Sequence, residues 1–176
     1  RDAALARALR SLRNLGFQPD RRFIHDRLGY NFRMTNIQAA IGVSQIEKID
    51  EHLARKRRMA ALYSEKLRDV AGLRLPVERP QTKNVYWMYA VVLDDEVPFD
   101  AAELGKRLRQ DGVDTRPFFA GMHEQPALLE QGLFKGEYYP VTERISRRGL
   151  YLPSGLGITD SQIESVCQAL KRCLSR

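Results

Sequence analysis

The sequence predicts an α+β fold, a small sheet with helices on one side. Three observations predict it. Helical periodicity fills both ends of the chain, while three short extended stretches, "VYWMYAVVL" (85–93), "VDTRPFF" (113–119) and "LYLPS" (150–154), lie among further helical patterns. The resulting order is helix–helix–strand–helix–strand–strand–helix. With 176 residues, 43% hydrophobic and 29% charged, the chain fits one domain, or one domain with an appendage. A chain of that length buries roughly 70% of its unfolded surface and needs no disulfide or metal staple.

Residues 2–14 read as an amphipathic helix, with Ala4, Leu5, Leu9 and Leu12 on one side and arginines on the other, ended by Gly16. "FQPDRRFIHDRLG" is a loop by its Pro19 and Gly29. Thr35 and Gln38 have capping-box spacing at the start of the next helix. Its apolar positions run Ile37, Ile41, Ile46, Ile49 and Leu53, then Leu62, Tyr63, Leu67 and Val70. One helix of that length would be about 50 Å long, against a diameter of about 40 Å for a compact domain of this size. A break near Asp50, which can cap a second helix, is therefore expected. "IQAAIGVSQI" carries no charge, so most of its circumference should be buried.

"VYWMYAVVL" is apolar on both alternating faces, the pattern of a central strand covered on both sides. Asp100 with Glu103 opens the helix "DAAELGKRLRQDG", and "VDTRPFF" follows as a strand. A loop with two short helical turns, "HEQPALLEQG" and "YYPVTERISRRG", leads to the short extended "LYLPS". Thr159 with Gln162 caps a last helix whose buried face is Ile163, Val166, Cys167, Leu170 and Leu174. There is no internal repeat and no low-complexity segment.

No apolar run approaches the roughly 20 residues of a membrane span, and no signal peptide is visible. Cys167 and Cys173 lie six apart in a helical pattern and cannot bond to each other, which reads as buried thiols of a cytoplasmic protein. The net charge of +7 belongs to residues 1–70, where 15 Lys and Arg face 8 Asp and Glu, including "ARKRR" at 54–58. Such a run can bind nucleic acid through Arg55, Lys56, Arg57 and Arg58, or can be a solvated helix face or a surface for an acidic partner. No aromatic platform or groove-reading motif accompanies it, so nucleic acid is the less favoured partner.

No set of His, Asp and Glu has metal-ligand spacing, no Gly-rich phosphate loop occurs, and no Ser or Cys sits in a nucleophile motif. Of the three histidines, His25 and His52 read as surface residues. His123, in "RPFFAGMHEQP" near Arg116, Phe118 and Phe119, either touches a ligand or is a loop residue bonded to backbone. A lysine that forms a Schiff base wants a desolvated or cationic pocket. Lys48, Lys56, Lys66, Lys106 and Lys171 lie on polar helix faces and Lys83 and Lys135 in loops, so no lysine is a convincing nucleophile. The remaining concentration of chemistry is Tyr30, Asn31, Arg33, Thr35, Asn36 and Gln38, packed into nine positions where a helix begins. The cap explains Thr35 and Gln38; the others need a buried network or a ligand.

"LGYNFRMTNIQAAIGVSQIEKID" (28–50) resembles the G-Y-N-[YF]-R-M-T-N-[IL]-Q-A-A-I-G segment of the DegT/DnrJ/EryC1/StrS family, pyridoxal-phosphate-dependent nucleotide-sugar aminotransferases. "YWMYAVVL", "DGVDTRPFFAGMHEQP" and "LYLPSGLGITDSQI" are similar to later family segments in the same order, and their combination resembles the perosamine-synthase branch. The resemblance implies the C-terminal small domain of an aspartate-aminotransferase-like (fold type I) enzyme over residues 51–176. Residues 1–50 would be the terminal portion of the large domain and an inter-domain helix.

By the same implication, Asn31 reaches the phosphate of pyridoxal 5'-phosphate in the neighbouring subunit of a homodimer. Tyr30 and Arg33 line that entrance, unless Arg33 instead holds the loop to the large domain. Arg116, His123 and Phe118 become the candidates for a nucleotide-linked keto-deoxysugar, with glutamate as amino donor. Phe32 stands where many relatives have tyrosine, which removes any hydroxyl contact made there. The Schiff-base lysine would lie outside this chain, so the chain by itself is expected to be inactive. Its opening on "RDAALARALR", without Met, likewise suggests a fragment or processed piece. The alternative from another class is a non-catalytic basic module binding nucleic acid or an acidic protein.

Overall fold

The structure, a computed structural model, describes residues 2–18, 20–21 and 23–175 and divides into two units, residues 1–49 and 50–176. In the first unit α1 (Ala3–Arg13) is started by Asp2, whose carboxylate accepts from the Ala4 and Leu5 N–H groups. Gly16 ends its exit turn at φ +73°; a Cβ there would lie 2.5 Å from the Arg27 carbonyl oxygen. Pro19, which punctuates the following loop in the sequence, lies outside the described residues. Thr35 and Gln38 form the expected capping box on α2 (Asn36–Ile46), a cap that contributes about 1 kcal/mol.

Two expectations for this region are corrected. The helical pattern breaks at Glu47–Lys48, near Asp50 as expected, but Asp50 is not the cap, because α3 (Ile49–Leu67) begins before it. Asp50 and Glu51 therefore occupy its first turn, where a negative charge meets the positive end of the helix dipole. The uncharged α2 is also not buried: Ile37 is 76% exposed and Ile46 70%. Lack of charge specifies a surface that favours cover, and among the described residues nothing supplies it.

The second unit is built on an antiparallel four-stranded sheet in the order β1 (Leu73–Arg74), β2 (Tyr89–Leu93), β4 (Gly149–Leu152), β3 (Arg116–Pro117). Tyr89 pairs with Leu152, Val91 with Leu150, and Arg116 with Tyr151. The inward side chains Tyr89, Val91, Leu93, Leu150 and Leu152 share one core with α3, α4 (Ala101–Gln110) and α7 (Asp160–Leu174). Leu67, Leu104, Leu108 and Leu170 are 0% exposed within it, each contributing roughly 1.5–3 kcal/mol by burial. Tyr63 stacks on Tyr89 with ring centroids 4.8 Å apart. Both hydroxyls are satisfied, Tyr63 donating to Pro153 O at 2.9 Å and Tyr89 sharing a bond with Ser64 Oγ. Burial pushes the Tyr89 phenol up to about 12 and the Cys167 thiol up to about 11.

β2 is central, as its composition predicts, but it is shorter than expected because 85–88 lies outside it. Its second face, Ala90 and Val92, is only half-buried, in a cleft it shares with Val141 and Ile145 of α6 (Pro140–Arg148). β1 is the strand that sequence reading missed; two residues give too little alternation to detect. The loop after β3 carries a short 3₁₀ turn (Met122–Glu124) and α5 (Pro126–Glu130). Among the described residues, no helix is long and apolar enough to cross a membrane.

Candidate functional site

Asn31 is held by backbone on both sides. Tyr30 N–H donates to Leu12 O at 3.0 Å, Leu15 N–H to Tyr30 O at 3.0 Å and Phe32 N–H to Arg13 O at 2.9 Å, making a bridge between Asn14 and Asn31. The exit of α1 thereby fixes the loop that carries the candidate residues Tyr30, Asn31 and Arg33. Asn31 Oδ1 accepts from both the backbone N–H and the Nε of Arg33, each at 3.3 Å. A guanidinium can only donate, so the amide oxygen must face it and the amide N–H₂ turns away from Arg33. Tyr30 and Phe32 pair their rings at 5.6 Å and stand 65% and 70% exposed. The loop thus presents an oriented amide donor and a cation beside two exposed aromatic rings. That donor set fits a phosphate monoester such as that of pyridoxal phosphate.

In the second unit Arg116 is exposed on β3 opposite Tyr151 of β4. It lines a cleft of about 300 Å³ with Trp87, Met88, Thr115, Tyr151 and Pro153. Phe118 is half-buried and packs its ring on Tyr151 with centroids 4.4 Å apart. His123 is turned to other partners. It is 9% exposed, its Nε2 lies 3.2 Å from Glu143 Oε1, and its ring meets Tyr139 edge-on at 4.8 Å. It bonds to a carboxylate twenty residues away, not to the backbone of its own loop.

Burial alone would raise the Glu143 carboxyl, but bonds from the Tyr139 N–H, His123 and Arg147 outweigh it and hold it below the usual range. His123, Glu124 and Glu143 place ligand-type atoms within 4.8 Å of one another, a grouping that no short spacing in the sequence reveals. Arg147 pairs with both of those carboxylates, so the cluster carries its own cation.

Three cations of the basic run, Lys56, Arg57 and Arg58, are engaged within the fold. Arg57 forms a two-pronged pair with Glu78, at 2.9 and 3.1 Å, and donates to Asn84 O at 2.7 Å. Arg58 pairs with Asp160. Lys56 corrects the reading that no lysine has a desolvated setting: its Nζ donates to Trp87 O at 2.9 Å and to Ser154 O, and burial lowers its pKa. Those acceptors lie 31 and 98 residues away, so nothing local in the sequence announces them. An ammonium engaged by two carbonyls is a clamp, the opposite of a free amine offered to a carbonyl substrate.

The chain belongs to the DegT/DnrJ/EryC1/StrS aminotransferase family, whose model matches residues 1–171. It is 36% identical over 177 residues to the GDP-perosamine synthase of Caulobacter vibrioides, covering 98% of this chain and 46% of that protein. It is 34% identical over 172 residues to the GDP-perosamine synthase of Vibrio cholerae, covering 97% and 45%. The crystal structure of the aminotransferase TlmJ from Streptoalloteichus hindustanus is similar with a TM-score of 0.84 at 29% identity, over 99% of this chain and 46% of that one. The chain spans a little under half the length of the relatives it matches, and corresponds to their C-terminal part.

Proposed function

We propose that this chain is the C-terminal part of an enzyme that transfers an amino group, with glutamate as donor, to the keto carbon of a nucleotide-linked deoxysugar. The observation that carries this reading is the family match over residues 1–171. The identity to two GDP-perosamine synthases supports a nucleotide sugar as substrate. Pyridoxal 5'-phosphate, when bound, supplies the electron sink for that chemistry. Asn31 would donate its amide N–H₂ to the cofactor phosphate across a homodimer, and the bonds from Arg33 that orient the amide support that role. Tyr30 and Arg33 would border the same entrance. The exposed apolar residues of α2 fit a helix covered by a large domain and a partner subunit.

On the substrate side, Arg116 and Phe118 would meet the nucleotide sugar. His123, buried against Glu143 and Tyr139, would hold the loop after β3 in place. Residues 1–50 would belong with the large domain and 51–176 would form the small domain of a fold type I enzyme working in the cytoplasm. The lysine that carries the cofactor would lie outside this chain. The test is intact mass after incubation with pyridoxal phosphate and borohydride reduction. The expected result is no stoichiometric adduct on any single lysine. One full adduct, on Lys56 above all, would overturn the assignment of that lysine to sequence outside the chain.

A further inference from the structure

We propose that Trp87 is the stacking platform of a nucleoside-diphosphate subsite in the cleft between residues 85–88, β3 and β4, with Arg116 supplying the charge for the phosphates. The inference rests on the reading of Arg116 as a substrate residue and adds to it a new residue and the part of the substrate that residue recognises.

Trp87 is the only tryptophan in the sequence and is 70% exposed. Its backbone, by contrast, is clamped. Lys56 Nζ ties the Trp87 carbonyl to the Ser154 carbonyl, joining the two segments that flank the cleft. On the other side Tyr86 adopts φ +46°, a conformation that a bulky residue adopts only when its surroundings enforce it. The enforcing contacts are present. Tyr86 N–H donates to Asn84 Oδ1 at 2.8 Å and its hydroxyl to Glu78 Oε2 at 3.3 Å. Glu78 is in turn fixed by Arg57 and by the Asn84 N–H at 2.8 Å. A large apolar ring on a mobile loop would be unremarkable on a protein surface. Here two charged side chains from α3 are spent on holding the backbone that displays it.

The lining selects the ligand class. Met88, Tyr151 and Pro153 give apolar walls, and Arg116 and Thr115 add a cation and a hydroxyl. The carboxylate at the rim, Asp114, pairs with Arg109 at 3.1 Å, which offsets its repulsion of a phosphate. The cleft, of about 300 Å³, is at the small end of ligand sites and suits a base with its first phosphates better than a whole nucleotide sugar. A tryptophan and an arginine lining one cleft match a base and its phosphates, and stacking of a base on an aromatic ring is worth roughly five- to 150-fold in affinity.

The sole tryptophan is its own reporter. The 176-residue chain is titrated with GDP, excited where guanine does not absorb, with inorganic pyrophosphate and ribose 5-phosphate as further probes. Saturable quenching by GDP, absent with the other two, is expected. Arg116→Ala should weaken the response about tenfold. By calorimetry Trp87→Ala should weaken GDP binding about tenfold while Trp87→Phe keeps most of it, with circular dichroism checking that each variant folds. GDP binding that leaves the fluorescence unchanged, equal binding by Trp87→Ala, or no binding at millimolar GDP would each overturn the subsite. A single-lysine cofactor adduct would revise the transaminase assignment and leave the GDP titration as it stands, so the two readings fail separately.

Discussion

Arg148, at the last position of α6, offers the most direct test of how this fold is held together. Its guanidinium donates to four backbone carbonyls at the end of β2 and in the segment after it: Phe99 O at 2.9 Å, Val97 O at 3.0 Å, Leu93 O at 3.5 Å, and Asp94 O. A fixed fork of N–H donors suits that task, and a point charge does not. Net hydrogen bonds to a charged group are worth about 1.5–3 kcal/mol each, so the two well-formed ones at the low end, for a half-buried side chain, give about 3 kcal/mol. Arg148→Met keeps the apolar stem and removes the donors. Urea unfolding followed by circular dichroism should show a loss of about 3 kcal/mol, equivalent to a fall in Tm of roughly 10 °C for a unit of this size. Arg148→Lys should lose about half of that, because one ammonium cannot span four acceptors. An Arg148→Met variant within about 0.5 kcal/mol of the parent would refute the reasoning, since it would leave the arginine no more important than an ordinary surface residue.

Two further outcomes follow from named contacts. A Cβ on Gly149 would lie 2.3 Å from Phe118 Cδ2 and 2.6 Å from the Ile145 carbonyl oxygen. Gly149→Ala should therefore destabilise the chain by about 1–3 kcal/mol and displace the Phe118 ring from Tyr151, read as changed ring shifts in the NMR spectrum; an unmoved Phe118 would count against the packing described. Glu78 is held at about 2, from an ordinary 4.5, first by the bond from Arg57 and then by that from the Asn84 N–H. Because its folded pKa is depressed, its contribution is fully present above pH 4.5 and is lost as pH falls through about 2. Glu78→Gln should flatten the stability profile over that acid range, and an unchanged acid profile would exclude Glu78 as a source of it.

α2 shows how a sequence can specify a surface without specifying what meets it. Ile37, Ile41, Val43 and Ile46 stand 58–76% exposed on a helix with no charged residue. Its cap was legible because Thr35 and Gln38 act over three residues, within one helical turn. Its cover was not, because burial depends on another surface.

The same division runs through the molecule. The sequence by itself determined what is local: the caps at Thr35, Asp100 and Thr159, the buried face of α7, and β2 as a central strand. It also carried the motif around Asn31 that marks the family. These are features of short-range periodicity and of side chains reaching a few residues. Only the tertiary structure decided which charged groups are structural. Lys56 finds its acceptors 31 and 98 residues away, Arg148 its acceptors 49 to 55 residues back, and His123 its carboxylate 20 residues on. It also took Trp87 out of the expected strand and put it on the rim of a cleft with Arg116. A charge on a helix reads as solvated until a distant loop folds over it, and no periodicity along the chain encodes which loop that will be.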